Sequence, residues 1–289
     1  MSDWNTDDAL TWRPLAPFGA EIKLDLNLPF EKSAAERFVR LLHERGLILA
    51  RGQTLSMERQ RHVCGLVGPI LLRGGESGYL STKNASGASL SELRWHSDGA
   101  YTETPLDAIA LHAIDVLDGA SSTCFISAQE TLTSLPAELR RRLEGREVEM
   151  IAPSYDSIGL RTCDRPNPSA QKRGIRPAIL RNPHNGSDCI WVNEMQTAKI
   201  VGMEWQESRA LLNAIYDHLY QPAHVYEHRW HNGDFLMWDN VSLQHMRGSL
   251  QDCGARVLQR VIVGTEGVAP HIALTDKPTA GRSPASTFS

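Results

Sequence analysis

Trp230-His231-Asn232-Gly233-Asp234-Phe235-Leu236-Met237-Trp238-Asp239-Asn240-Val241-Ser242-Leu243-Gln244-His245 is the stretch from which the fold is read. Asn232-Gly233 is a chain-reversing dipeptide, since both residues tolerate positive φ. It feeds the apolar run 235–238, a short strand, and the chain bends again at Asp239-Asn240 before reaching His245. Runs 225–230 upstream and 256–263 downstream also read as strands. Tight bends between short apolar runs predict β architecture here.

Working towards the N-terminus, 189–193, 123–126 and 108–117 read as further strands, with Gly119 turning between the last two. Residues 47–50 form another, and 79–82 a short one inside a Gly-, Ser- and Asn-rich loop spanning 72–91. Helices are predicted at a few places. One starts at Ser33, where Ser33 and Glu36 have capping-box spacing, carries Phe38, Leu41 and Leu42 inward, and stops at Gly46. A second covers 56–64 and ends near Gly65. A third covers 132–143, broken by Pro136, with Leu139 and Leu143 on one face. A fourth covers 207–219, with Leu211, Leu212, Ile215 and Leu219 inward. Residues 154–177 read as a long loop. No repeat or linker divides the chain, so 1–289 is expected to be one domain, with a core of about 12–266 and a loose tail over 267–289. The expected fold is mixed α/β but mainly β: a double-stranded β-helix (jelly roll, cupin-like) with flanking helices. The runner-up is an α+β fold with an antiparallel sheet.

Composition excludes several functions. A net charge of -4 over 289 residues provides no basic field for nucleic acid or an anionic membrane. Arg140-Arg141-Arg142 lies in a helical pattern and is expected on a solvated face. No run of about 18 apolar residues predicts a membrane span, and residues 1–12 lack a signal-peptide core. Five cysteines without CxxC spacing argue against a disulfide framework or zinc cage and for a reducing, cytoplasmic setting.

The chemistry begins at Trp95-His96-Ser97-Asp98. In an extended segment residues i and i+2 share a face, so His96 and Asp98 can meet one ion. His245, 147 residues beyond Asp98, would complete a 2-His-1-carboxylate face that leaves three positions open, as non-haem iron(II) chemistry with oxygen requires. Arg256 and Arg260 follow His245 by eleven and fifteen residues. Their even separation puts both on one strand face, and two guanidinium groups facing an interior demand anions. A dicarboxylate would supply them, and arginine engages a carboxylate in bidentate fashion. Each signal also has a bland reading. An HxD triplet arises by chance, the two arginines could lie on a surface strand, and Thr123 could be an ordinary β-branched residue. His112 reads as a core or cavity residue, and His228 and His231 as surface positions. Trp95 and Trp238 read as packing beside the site, and Asp239 and Asn240 as the turn that presents His245.

Taken together, His96-Ser97-Asp98, the Gly233-Asp234…Trp238-Asp239-Asn240…His245 block and the arginine pair resemble the TauD/TfdA family of 2-oxoglutarate dioxygenases. Leu47 to Gln53 resembles the family's early strand and "RGQ" turn. Trp191-Val192-Asn193-Glu194 with Thr197, Ile200 and Gly202, and Tyr226 to Trp230, resemble later segments, so the likeness covers most of the chain. The resemblance implies Fe(II) held by His96, Asp98 and His245, with 2-oxoglutarate and O2 as cosubstrates. It implies that Arg256 and Thr123 hold the distal carboxylate of 2-oxoglutarate, and that Arg260 contacts the cosubstrate or an anionic substrate. Ser121 and Ser122 stand where the family usually has two glycines. The implied activity is C–H oxidation, hydroxylation foremost, of a small anionic organic substrate, with release of succinate and CO2. A carboxylate at position 98 disfavours the halogenation of relatives that have a small residue there. Desaturation, ring formation or epoxidation in specialised metabolism is the alternative. Arg73, Tyr79, Asn84, Gly99, Tyr101, Met195, Gln196 and Arg260 are the expected substrate-pocket residues. Relatives are often dimers or tetramers, which makes a homo-oligomer an option. A cupin-like binding protein without turnover, and a structural protein with an accidental motif, are the non-enzyme readings.

Overall fold

A computed structural model describes residues 3–7, 10–71, 78–83, 90–153, 159–168 and 170–265. The expected tail, 267–289, lies outside them. In chain order the first half comprises β1 (Asn5–Asp7), β2 (Leu10–Pro14), β3 (Ala20–Ile22), α1 (Lys32–Arg45), β4 (Leu47–Ala50), α2 (Met57–Cys64), β5 (Tyr79–Ser81), β6 (Leu93–His96), β7 (Ala108–Val116) and β8 (Ser122–Ser127). Then come α3 (Ala128–Thr133), α4 (Ala137–Leu143), β9 (Glu147–Pro153), β10 (Ala170–Pro177), β11 (Ile179–Arg181), β12 (Asp188–Ile190) and β13 (Thr197–Ile200). The chain closes with α5 (Trp205–Leu219), β14 (Val225–Arg229), β15 (Phe235–Asp239), β16 (Leu243–Arg247) and β17 (Arg256–Val263). The fold is thus mixed α/β and mainly β. Among the described residues no helix is long and apolar enough to cross a membrane.

An eight-stranded sheet runs β1-β2-β3-β4-β15-β7-β17-β5, and a four-stranded sheet runs β14-β8-β16-β6. The large sheet is buried on both sides, which is why β4 and β15 read as continuous apolar runs rather than alternating ones. Alternate residues divide between two cores. Ile48, Ala50, Phe235 and Met237 pack with Phe38, Leu41 and Leu42 of α1. Leu47, Leu49, Ile109, Leu111, Leu236 and Trp238 instead pack with Phe125 and Leu243 of the small sheet. The two sheets therefore face each other across this second core.

Several local expectations are corrected. The α1 N-cap is Glu31, not Ser33, and no side chain caps it; the chain enters the helix before the capping-box pair. Gly46 does end it, at φ 74 with its N–H on the Leu42 carbonyl. Residues 154–177 are not all loop, because β10 pairs along β9. Its sequence is polar with one Gly, so pairing rather than hydrophobic period makes it a strand. His228 is no surface residue: it is 1% exposed, since its position on β14 points between the sheets. Arg140, Arg141 and Arg142 do lie on a solvated face, paired with Glu144, Glu138 and Glu207 respectively.

The Asn232-Gly233 turn docks against the Arg51-Gly52-Gln53 turn. The Gln53 N–H donates to the Gly233 carbonyl at 2.7 Å, and Arg51 Nη1 reaches both oxygens of Asp234, at 3.0 and 3.1 Å. Gly233 has φ +82, and a Cβ there would lie 3.0 Å from the Gln53 carbonyl oxygen and 3.2 Å from its nitrogen. Gly233→Ala is expected to destabilise the protein by about 2–3 kcal/mol, lowering Tm by roughly 5–10 °C. Gly119, with φ +70 and nothing within 4 Å of its Cβ position, is the control: Gly119→Ala should cost clearly less in the same thermal melt.

Candidate metal centre

Three buried side chains converge between the sheets. His96 ends β6, Asp98 follows two residues later, and His245 lies on β16, directly paired with His96. Their exposures are 3%, 5% and 8%. His96 Nε2 lies 3.2 Å and His245 Nε2 3.9 Å from Asp98 Oδ1, and all three donor atoms fall within 4.8 Å of one another. Nδ1 of His96 donates to the carbonyl of Arg94, two residues back, at 2.7 Å. The ring proton is thereby placed on Nδ1, and the Nε2 lone pair faces the cluster. Ligands about 2.1 Å from one ion and at right angles lie about 3 Å apart, so the spacing fits a metal.

The supports are backbone clamps. Asn240 Oδ1 accepts the Asp98 N–H at 3.0 Å, while Asn240 Nδ2 donates to the Asp98 carbonyl at 2.9 Å and the Leu106 carbonyl at 3.3 Å. One amide thus ties the segment before His245 to the segment that carries Asp98. Asp239 Oδ1 accepts the N–H groups of Val241 and Ser242, closing the bend. Burial would raise the Asp239 carboxyl, but hydrogen bonds from His43 and Ser242 outweigh it and hold the group below its usual range. Asp239 organises the turn as its sequence context suggested. Asn240 does more, since it reaches the other ligand segment.

The second half of the site is cationic. On β17, Arg256, Leu258, Arg260 and Ile262 share the face turned between the sheets, even though the pairing with β7 shifts register at Val257/Leu258. Arg256 is 3% exposed, and its Nε has no hydrogen-bond partner among the described residues. Burial, with like-charge repulsion from Arg247, pushes its guanidinium down to about 10. It remains a cation at neutral pH and is in need of an anion. Thr123 lies two residues along β8 from Phe125, the partner of His245, and faces the same interior. The turn 117–121 joins the end of β7 opposite Arg256 to the start of β8, so Thr123 and Arg256 sit at one end of the two sheets. The indole N–H of Trp238, whose ring centroid is 5.0 Å from that of His245, is also buried without a partner among the described residues. A buried cation, an orphan N–H and a threonine hydroxyl suit a carboxylate ligand.

Of the expected pocket residues, Gly99 and Tyr101 follow Asp98 directly and are buried. Met195 is held to Trp95 by a 3.1 Å backbone bond. Gln196 is turned into its own segment, where its side-chain oxygen accepts from Asn193 Nδ2 at 3.1 Å. Tyr79 pairs with Gln259 and so shares the outer face of β17; Leu80, opposite Leu258, takes the inward position. Arg73 and Asn84 lie outside the described residues. His112 is a core residue, with Nε2 3.2 Å from the Gln53 carbonyl oxygen and Nδ1 without a partner among the described residues. Two residues near the site had no sequence signal of their own: Arg247 lies beside Arg256, and Trp230 donates to Thr123.

Residues 11–262 match the family described as "Taurine catabolism dioxygenase TauD, TfdA family". Alpha-ketoglutarate-dependent 2,4-dichlorophenoxyacetate dioxygenase of Cupriavidus pinatubonensis is 26% identical over 278 residues, covering 84% of this chain and 93% of that protein. Pentalenolactone F synthase of Streptomyces arenae is 26% identical over 183 residues, spanning 59% of this chain and 61% of the relative's own length. Among solved structures, a taurine dioxygenase from Burkholderia xenovorans superimposes with a TM-score of 0.74 at 20% identity, covering 88% of this chain and 90% of that one. That likeness is one of fold.

Proposed function

The chain belongs to the TauD, TfdA family of dioxygenases, and on that premise we propose that it is an Fe(II)- and 2-oxoglutarate-dependent enzyme that hydroxylates a C–H bond of a small anionic molecule. The observation that carries the reading is the buried cluster of His96, Asp98 and His245 together with the buried Arg256, whose Nε has no partner among the described residues. Iron(II) with 2-oxoglutarate and O2 supplies the oxidant for the C–H bond, and succinate and CO2 leave as coproducts. This chain's residues do the rest. His96, Asp98 and His245 would hold the ion, and a set of three protein ligands would leave room for the cosubstrates. Arg256 and Thr123 would hold the far carboxylate of the cosubstrate, and Thr123 lies two strand residues, about 6.6 Å, from the level of His245. Trp238, Phe125 and Leu111 keep water from the space between.

Arg260, also inward and one interior position nearer the centre of β17 than Leu258, is the group we assign to an anionic substrate. The likeness to a 2,4-dichlorophenoxyacetate dioxygenase supports a carboxylate-bearing substrate. The likeness to pentalenolactone F synthase supports, as a second reading, an oxidation that builds a specialised metabolite. We read the two facing sheets as a jelly roll, supported by the shared core between them. A reducing, cytoplasmic setting is supported by five free thiols.

Anaerobic titration with Fe(II) and 2-oxoglutarate tests the function. A weak visible charge-transfer band is expected in the wild type and should be absent in His245→Ala. No band in the folded wild-type protein would sink the reading.

A further inference from the structure

Thr123 and Trp230 form a buried pair that the functional reading leaves unexplained. The indole Nε1–H of Trp230 donates to Thr123 Oγ1 at 3.0 Å, with both residues buried at 0% and 3% exposure. An indole nitrogen can only donate, so the threonine oxygen must accept here. A hydroxyl carries one hydrogen of its own, and with the indole on one lone pair that hydrogen points elsewhere. No acceptor for it lies among the described residues.

The indole is held on several sides. The Trp230 N–H donates to the Ser121 carbonyl at 3.1 Å, and the Trp230 carbonyl accepts the Gly119 N–H at 2.9 Å. Both contacts are to the turn that leads into β8 and so to Thr123 itself. The His228 ring stands edge-on to the indole, with centroids 4.5 Å apart at 87°. His228 Nε2 is 3.2 Å from Asp234 Oδ2, though without the alignment of a hydrogen bond. Asp234 is in turn held by Arg51 and by the His231 N–H. The ring plane, and with it the direction of its N–H, is therefore set by the surrounding frame.

We infer that Trp230 is a positioning residue for the cosubstrate: it holds the Thr123 hydroxyl with its hydrogen turned towards the distal carboxylate of 2-oxoglutarate. The inference rests on the proposed function. Two physical effects follow from the arrangement. The hydroxyl rotor is fixed before the ligand arrives, so less freedom is lost on binding. Accepting a hydrogen bond also polarises the O–H and makes it a stronger donor. Both effects act on the far carboxylate alone and leave the keto-acid end untouched.

The test is calorimetric titration of the Fe(II) protein under argon with 2-oxoglutarate and, in parallel, with pyruvate, which lacks the distal carboxylate. Trp230→Phe should raise Kd for 2-oxoglutarate about fivefold to tenfold and leave Kd for pyruvate within about twofold. Thr123→Val should weaken 2-oxoglutarate at least as much, and adding Trp230→Phe to it should weaken binding no further. Equal losses for both acids would mean a packing role only and overturn the inference, as would an unchanged Kd for 2-oxoglutarate. Should Trp230→Phe fail to fold, the wild-type protein decides. With 15N-labelled tryptophan and Zn(II), the indole resonance that shifts in Thr123→Val should move on adding 2-oxoglutarate and stay in place with pyruvate. A resonance indifferent to both overturns the proposal. Wild-type protein that binds pyruvate and 2-oxoglutarate equally tightly overturns it too. A wild type that binds neither overturns the functional reading and this inference with it.

Discussion

Arg256→Met is expected to raise the Kd of 2-oxoglutarate by about 100- to 1000-fold while making the ligand-free protein more stable. The two signs have one cause. Removing one member of a buried charge pair costs about 3–5 kcal/mol, and each 1.4 kcal/mol is a factor of ten. In the complex, the lost member is the partner of a carboxylate. In the ligand-free protein, Arg256 is a buried cation whose Nε is unpartnered among the described residues, next to a second cation, Arg247. A methionine of similar length relieves that burden, so Tm without ligand should rise by a few degrees. The rise in Tm that 2-oxoglutarate produces in the wild type should vanish. Arg256→Lys should fall between, keeping charge but losing the planar fork. A variant that binds 2-oxoglutarate like the wild type would show that the anion is held elsewhere.

Asn240→Ala is expected to combine a large loss of stability with a loss of iron affinity, although Asn240 is not a ligand. Its amide makes three buried hydrogen bonds, two of them to the peptide of Asp98. Alanine leaves an N–H and two carbonyls without partners, at about 1–3 kcal/mol for each buried group. Partial relaxation brings the expected total to about 3–5 kcal/mol, or a Tm lower by roughly 8–15 °C. The Asp98 carboxylate then loses the fixed backbone that aims it, and supports of this kind are typically worth 10- to 100-fold in metal affinity. Asn240→Asp retains an acceptor for the Asp98 N–H but turns a carboxylate on two carbonyls, so it should be no milder. Thermal melts and anaerobic Fe(II) titrations read the two effects separately. A destabilised variant with wild-type iron affinity would show that Asp98 is positioned without Asn240.

The candidate site was legible in sequence where chemistry forces residue types into short windows. The i, i+2 rule put His96 and Asp98 on one face, and an even spacing did the same for Arg256 and Arg260. Each pattern alone is common by chance, and only their ordered combination pointed to a site. What joins those windows was not legible. The Trp230–Thr123 bond spans 107 residues and the Arg51–Asp234 pair 183, and neither residue type signals its partner in advance. Asn240 read as a turn residue because asparagine commonly is one; its bonds to Asp98 depend on how two sheets meet. Tyr79 was expected in the pocket from its position along the chain alone, and strand register put Leu80 inward instead. For the fold, the doubly buried strands β4 and β15 stood out as apolar runs. Strand β10, polar along its length, owes its form to pairing with β9 and left no periodic trace.

The order of the large sheet bears on how the protein is made. Strands β4 and β7 come early in the chain, yet they are separated by β15, which is synthesised some 120 residues after β7. Until residues 235–239 emerge from the ribosome, both early strands present an open edge with nothing between them. His245, Arg256 and Arg260 follow within the next few turns of synthesis. A nascent chain therefore cannot assemble half a site and wait. The edges close, the ligand set is completed and the anion pocket forms in one late event, which favours slow folding and an interval in which chaperones shield the unpaired strands.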